Sequence, residues 1–262
     1  MSSIKGLLID LDGTIYNDTV PIPGSLATIK WLHEIGIPFR FITNTTMKSR
    51  ETLQKKLASM GIVCIREDIF SAAYAGSLYV RQKPDANCYL LILEDAKKEY
   101  VGLEKPGEVD FVVVGDLGKE ADFDKLNAAF RHLLHGAELV ALQKNRFWLS
   151  DDGYMMDAGA FVAMLEYAAN TTATLIGKPA PTFFEMALRD MGLSADEVLM
   201  IGDDIESDIG GAQKMGMRTC LVRTGKFRQK DFDNSKIKPD YILPSFFDLA
   251  DSEIAELLSA HS

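Results

Sequence analysis

Cysteine is scarce: Cys64, Cys88 and Cys220 are the only three, widely spaced and set in apolar runs. An odd, scattered set excludes a disulfide framework and offers no zinc-site spacing, so these read as buried, reduced thiols. Long hydrophobic runs are missing too. Stretches such as Tyr89-Leu90-Leu91-Ile92-Leu93 fall far short of the roughly 20 residues that cross a bilayer, so no membrane partner is expected. The N-terminus passes from Met1 into a strand-like run that ends in acids by residue 12. That leaves no room for a secretion signal, and the expected location is cytoplasmic. Positive charge is in deficit, with 28 Lys+Arg against 38 Asp+Glu and a net charge of −10. Nucleic acid is therefore not an expected partner, and an anionic ligand needs local help to bind. Histidine is sparse as well. His33, His132, His135 and His261 show no metal-like spacing between strands and read as structural.

What is present is an ordinary globular composition, 47% hydrophobic and 25% charged over 262 residues, enough for one or two domains. Short β-rich runs alternate with helix-period segments, the pattern of parallel strands joined by crossover helices, so the fold class is α/β. The run Ile4–Ile9 leads to a helix near Ser25–Ile35 and a strand Phe39–Ile42. Helices over Ser49–Met60, stopped by Gly61, and around Ser71–Val80 complete an N-terminal block. The middle carries its own strands, Cys88–Leu93, Asp110–Val114 and Glu138–Leu142, and a helix Asp122–His135 with Phe123, Leu126, Phe130, Leu133 and Leu134 on one face. From Ala173 the βα pattern resumes, with strands at Thr174–Ile176, Val198–Ile201, Thr219–Val222 and Tyr241–Leu243. The layout expected is one α/β core from residues 1–77 and 172–262, with an α/β domain inserted over 78–171.

Four segments carry chemistry. Asp10-Leu11-Asp12-Gly13-Thr14 directly follows the first apolar strand, and the period of an extended chain points both carboxylates to one side. Ligands of open parallel sheets sit outside the carboxyl ends of strands, although an Asx-type turn with solvated acids also fits these five residues. Thr43-Asn44-Thr45-Thr46 ends the next strand with hydroxyl, amide and backbone donors suited to phosphate, or equally to a helix cap. Gly177-Lys178-Pro179 places a cation where the strand Thr174–Ile176 ends, with a solvated surface lysine as the alternative. Gly202-Asp203-Asp204-Ile205-Glu206-Ser207-Asp208 packs four acids into six residues. Like charges so close repel unless a cation compensates, and oxygen-only ligands suit a hard ion such as Mg²⁺. An acidic helix N-terminus is the competing reading. Jointly the segments imply one pocket holding a nucleophile, phosphate donors, a lysine and a metal cluster, which are the parts of phosphoryl transfer.

These residues resemble the four ordered motifs of the haloacid dehalogenase superfamily, and the inserted segment is similar to the cap of its NagD-like, C2-capped branch. The resemblance implies a Rossmann-like parallel core with a C2-type α/β cap, and a Mg²⁺-dependent phosphatase acting on a small phosphorylated metabolite. It implies Asp10 as nucleophile and Asp12 as general acid and base. Asp10, Asp12, Asp203 and Asp208 would hold Mg²⁺, Thr43, Asn44 and Thr45 the phosphate, and Lys178 would offset charge on both Asp10 and phosphate. Caps of this branch often pair, so a homodimer is among the expected partners. Asp157, in Asp157-Ala158-Gly159-Ala160-Phe161, stands between a role in substrate choice and an N-cap of the helix that follows.

Two other readings use the same residues. A phosphotransferase would pass the phosphoryl group to an acceptor other than water. A phosphate-responsive signalling module also combines acids, a phosphoacceptor Asp and a Lys around Mg²⁺, but the acid at Asp12 and the long insert argue against it. The basic run Arg223–Lys230 reads mainly as a solvated loop, with the border of an anion pocket as its alternative.

Overall fold

The structure, a computed structural model, describes residues 3–150 and 153–259; His261 lies outside them. The chain divides into two compact units, one of Met1–Thr43, Leu53–Phe70 and Lys178–Ser262, the other of Asn44–Thr52 and Ser71–Gly177.

The first unit is built on a six-stranded sheet in the order Tyr241–Leu243, Arg218–Val222, Val198–Gly202, Gly6–Asp10, Phe39–Thr43 and Ile69–Ser71. The pairings from Tyr241–Leu243 across to Phe39–Thr43 are all parallel. Leu7, Leu8 and Ile9 are completely inaccessible to solvent, which is why this strand is an unbroken apolar run, as a central parallel strand covered on both faces must be. Its register places Ile9 beside Ile201 on one side and Phe41 on the other. The neighbouring chain segments therefore leave the sheet at the same edge. The helix Ser25–Glu34 follows the first strand, turning its Ile29 and Leu32 into the core against Phe246 and Leu249. The helix Pro181–Met191 begins with proline at its first position, where a missing N–H costs nothing, and ends at Gly192 with φ 68°. Its Phe183 meets Phe70 edge to face, with ring centroids 5.3 Å apart.

The second unit has a parallel four-stranded sheet in the order Thr174–Leu175, Glu138–Ala141, Phe111–Val114 and Cys88–Leu91. The helices Phe123–Leu134 and Ala158–Ala169 cover it, with Leu133, Phe161, Val162 and Leu165 in a common apolar cluster. Asp122 caps the first of these by accepting from the Lys125 N–H at 3.0 Å. The apolar face expected for that helix is narrower than its sequence suggests. Leu126, Phe130 and Leu133 pack inward, while Phe123 and Leu134 are exposed at the two ends, beyond the reach of the sheet. An antiparallel hairpin, Phe147–Ser150 with Gly153–Met156, precedes Asp157.

One expectation about the sheets changes. The strand before Lys178 does not join the large sheet; Thr174–Leu175 pairs with Glu138–Ala141 in the four-stranded one. Two residues of strand carry no pattern that distinguishes one parallel sheet from another, since both demand apolar character on both faces. The helix Ala72–Val80 likewise falls within the second unit.

Candidate active site

At the carboxyl edge of the large sheet, Asp10 ends the strand Gly6–Asp10 and Asp203 follows the adjacent strand Val198–Gly202. Asp208 comes from the single helical turn Ile205–Gly210. Carboxylate oxygens of Asp10, Asp203 and Asp208 all lie within 4.8 Å of one another, and all three residues are buried. Gly202 is required here, because a Cβ on it would run into the Asp208 carboxylate. Lys178 reaches the same point: its Nζ lies 2.5 Å from Asp10 Oδ1 and 2.6 Å from Asp208 Oδ1. Asp208 Oδ2 accepts from the Asp204 N–H at 3.1 Å.

One ammonium against three carboxylates leaves the site short of positive charge. Burial, with the charges of Asp10 and Asp208 added, pushes Asp203 up to about 8. Burial takes Asp208 up to about 6 in spite of Lys178, which pulls it down. Asp10 is also raised by burial, against the same pull from Lys178. Burial opposes the Lys178 ammonium, yet Asp10 and Asp208 keep its pKa above the usual lysine range. A hard divalent cation with oxygen ligands fits this donor set, since it supplies the missing charge where the acids converge.

The run of four acids divides by role. Asp203 and Asp208 turn into the cluster. Asp204 accepts from the Glu206 and Ser207 N–H groups, each at 3.0 Å, and caps the turn. Burial works against its charge, but those hydrogen bonds hold its carboxyl below the ordinary value. The acidic helix N-terminus and the metal cluster were competing readings of one segment; Asp204 caps the turn as the first requires, while Asp203 and Asp208 join the acid cluster on which the second is argued. Asp12 is exposed, two residues beyond Asp10, in a turn closed by the Gly13 N–H donating to the Tyr16 carbonyl at 2.7 Å. Thr43 is buried at the end of the strand that pairs with Gly6–Asp10. Asn44 and Thr45 fall in the second unit, where the Thr45 carbonyl accepts from the Ala73 N–H at 3.4 Å. Asp157, also in the second unit, is buried and is the N-cap of Ala158–Ala169, accepting from the Ala158 N–H at 2.7 Å and from Gln143. Burial raises its pKa.

The basic run after Arg218–Val222 is not simply solvated. Thr224 Oγ1 donates to the Gly13 carbonyl at 2.5 Å, and the Lys226 N–H donates to Asp203 Oδ2 at 2.5 Å. A cavity of about 500 Å³ opens beside it, lined by Asp203, Asp204, Lys226, Phe227, Arg228 and Phe232 among others. The sequence signal was the position of this run directly after a core strand. The described histidines make local packing contacts: His33 stacks edge-on against Phe39, His132 lies tilted against Tyr89, and His135 bonds the Arg131 carbonyl.

Comparison with known proteins identifies the family. A haloacid dehalogenase-like hydrolase family model matches residues 7–104 and a HAD-hydrolase-like model matches 175–249. Haloacid dehalogenase-like hydrolase domain-containing protein 2 of Bos taurus is 37% identical over 256 residues, 98% of each chain. Phospholysine phosphohistidine inorganic pyrophosphate phosphatase of Danio rerio is 36% identical over 247 residues, 92% of this chain and 90% of that one. The solved p-nitrophenyl phosphatase from Archaeoglobus fulgidus superposes with a TM-score of 0.88 at 29% identity, covering 95% of this chain and 99% of the other. The chain belongs to the haloacid dehalogenase-like hydrolase family. Within that family it is an enzyme of the phosphatase kind.

Proposed function

We propose that this chain is a Mg²⁺-dependent phosphatase that hydrolyses a small phosphorylated metabolite through a phosphoaspartate on Asp10. The observation that carries the reading is the meeting of Asp10, Asp203 and Asp208 oxygens within 4.8 Å beside the Lys178 ammonium. Asp10, Asp203 and Asp208, with the Asp12 carbonyl, would hold the ion. When bound, the ion offsets negative charge on the phosphoryl oxygens and allows a dianion among carboxylates. Lys178 favours the ionised form of Asp10, the form that attacks. An Asp10 carboxylate oxygen bonds to phosphorus as the bond to the leaving oxygen breaks, and Asp12 gives that oxygen a proton. Asp12 then takes a proton from water as the water oxygen attacks phosphorus, releasing phosphate and restoring Asp10. Thr43, Asn44 and Thr45 are assigned to the phosphate, and Asp157, in the cap expected over 78–171, to substrate choice. We place the enzyme in the cytoplasm, where reduced thiols persist, and expect it to pair as a homodimer.

The name of the zebrafish relative covers phosphoamides and pyrophosphate, so these belong in the substrate panel beside phosphomonoesters. Phosphate release from p-nitrophenyl phosphate and this panel is measured with and without Mg²⁺, using Asp10→Asn as the control. Mg²⁺-dependent release that disappears in the folded mutant is the expected result. Undiminished release by Asp10→Asn refutes covalent catalysis at this residue, and transfer to added alcohols in preference to water favours a phosphotransferase.

A further inference from the structure

The loop behind the acid cluster joins two distant parts of the chain. Thr224 Oγ1 donates to the Gly13 carbonyl, the Lys226 N–H donates to Asp203 Oδ2, and Gly225 lies between them at φ 57°. Gly13 itself has φ 95°. A Cβ on either glycine would land on Asp203 Oδ2, so two bare backbones press on one oxygen of this carboxylate. The Lys226 N–H donates to that same oxygen. The Lys226 side chain is otherwise engaged, 67% exposed with its Nζ 3.8 Å from Asp204.

We propose that Thr224, Gly225 and the Lys226 N–H form a clasp that fixes the orientation of Asp203 for a divalent ion, with Thr224 as a positioning residue. This rests on the metal reading given above. A carboxylate free to rotate about its last torsion loses entropy when it binds an ion; one already held on a single oxygen does not lose it again. Groups that orient a ligand from behind in this way typically change metal affinity by about 10–100-fold when removed. Thr224 supplies the anchor: its hydroxyl ties the loop to the Gly13 turn, whereas the Arg228 guanidinium, which donates to the Gly225 carbonyl at 3.2 Å, braces the loop only from within.

The test is Mg²⁺ titration of the full-length chain by calorimetry, with the melting temperature in metal-free buffer as a second readout. Thr224→Val keeps the shape and removes the hydroxyl; Thr224→Ser keeps the hydroxyl. The expected result is an affinity lower by about 10–100-fold in Thr224→Val, restored in Thr224→Ser, with the metal-free melting temperature little changed. Thr224→Ala serves the same comparison should valine distort the loop. Wild-type affinity in Thr224→Val and Thr224→Ala overturns the clasp while leaving the metal site standing. Absence of Mg²⁺ binding by the wild type, with Asp203→Asn equally silent, overturns the metal reading and the clasp with it.

Discussion

On the proposed reading, protons and Mg²⁺ compete for the same three carboxylates, so Mg²⁺ affinity should depend steeply on pH. Asp203 is buried and titrates at about 8, and Asp208 at about 6. At pH 6 about one Asp203 in 100 is ionised and at pH 8 about half, while Asp208 goes from half to fully ionised. The product is an affinity about 100-fold tighter at pH 8 than at pH 6, or about 2.7 kcal/mol. The sign for the ion-free protein is the opposite. The folded-state pKa of Asp203 lies above its unfolded value of about 3.9, so stability is lost as pH rises from about 4 through 8, and bound Mg²⁺ restores it. Calorimetry at pH 7 in buffers of different ionisation heat should report about one proton released per ion bound. An affinity that is flat between pH 6 and pH 8, with no proton release, would refute this account of the site.

Lys178→Met leaves the buried carboxylates of Asp10 and Asp208 without their partner; a loss of about 3–5 kcal/mol is expected in metal-free buffer at pH 8, with a smaller loss at pH 5, where Asp208 accepts a proton. Denaturant melts at the two pH values check it. Asp157→Ala removes the side chain that receives the Ala158 N–H, and about 0.5–2 kcal/mol of stability should go with it. If Asp157 also governs substrate choice, the ranking of the phosphate panel changes in that mutant, whereas a uniform fall across the panel marks a capping role alone.

The placement of Asp10 and Asp203 at the sheet edge could be read directly, because each follows an apolar strand and the strand-end rule of parallel sheets needs no knowledge of packing. Lys178 was identified on a premise the structure revises: its preceding strand belongs to the other sheet, yet its ammonium still meets Asp10. Neighbouring acids defeat sequence reasoning for a different reason. Asp203 and Asp204 are chemically identical, and which one turns inward is decided by the backbone after Gly202, where Asp204 finds the Glu206 and Ser207 N–H groups. Thr224 was illegible, since its role depends on the Gly13 carbonyl, 211 positions away along the chain. A hydroxyl in a basic loop gives no sign of such a partner.

The place of the first strand in the sheet also has a consequence for biosynthesis. Gly6–Asp10 pairs on one side with Phe39–Thr43, made soon afterwards, and on the other with Val198–Gly202. An apolar central strand therefore waits, half-paired, while most of the chain is synthesised, and Asp10 has neither Lys178 nor Asp203 beside it until then. Pairings so distant in sequence are slow to close and leave strand edges open to wrong partners meanwhile. The nascent chain thus leaves its first strands exposed longest, and the acids of the proposed ion site come together only in the last quarter of translation.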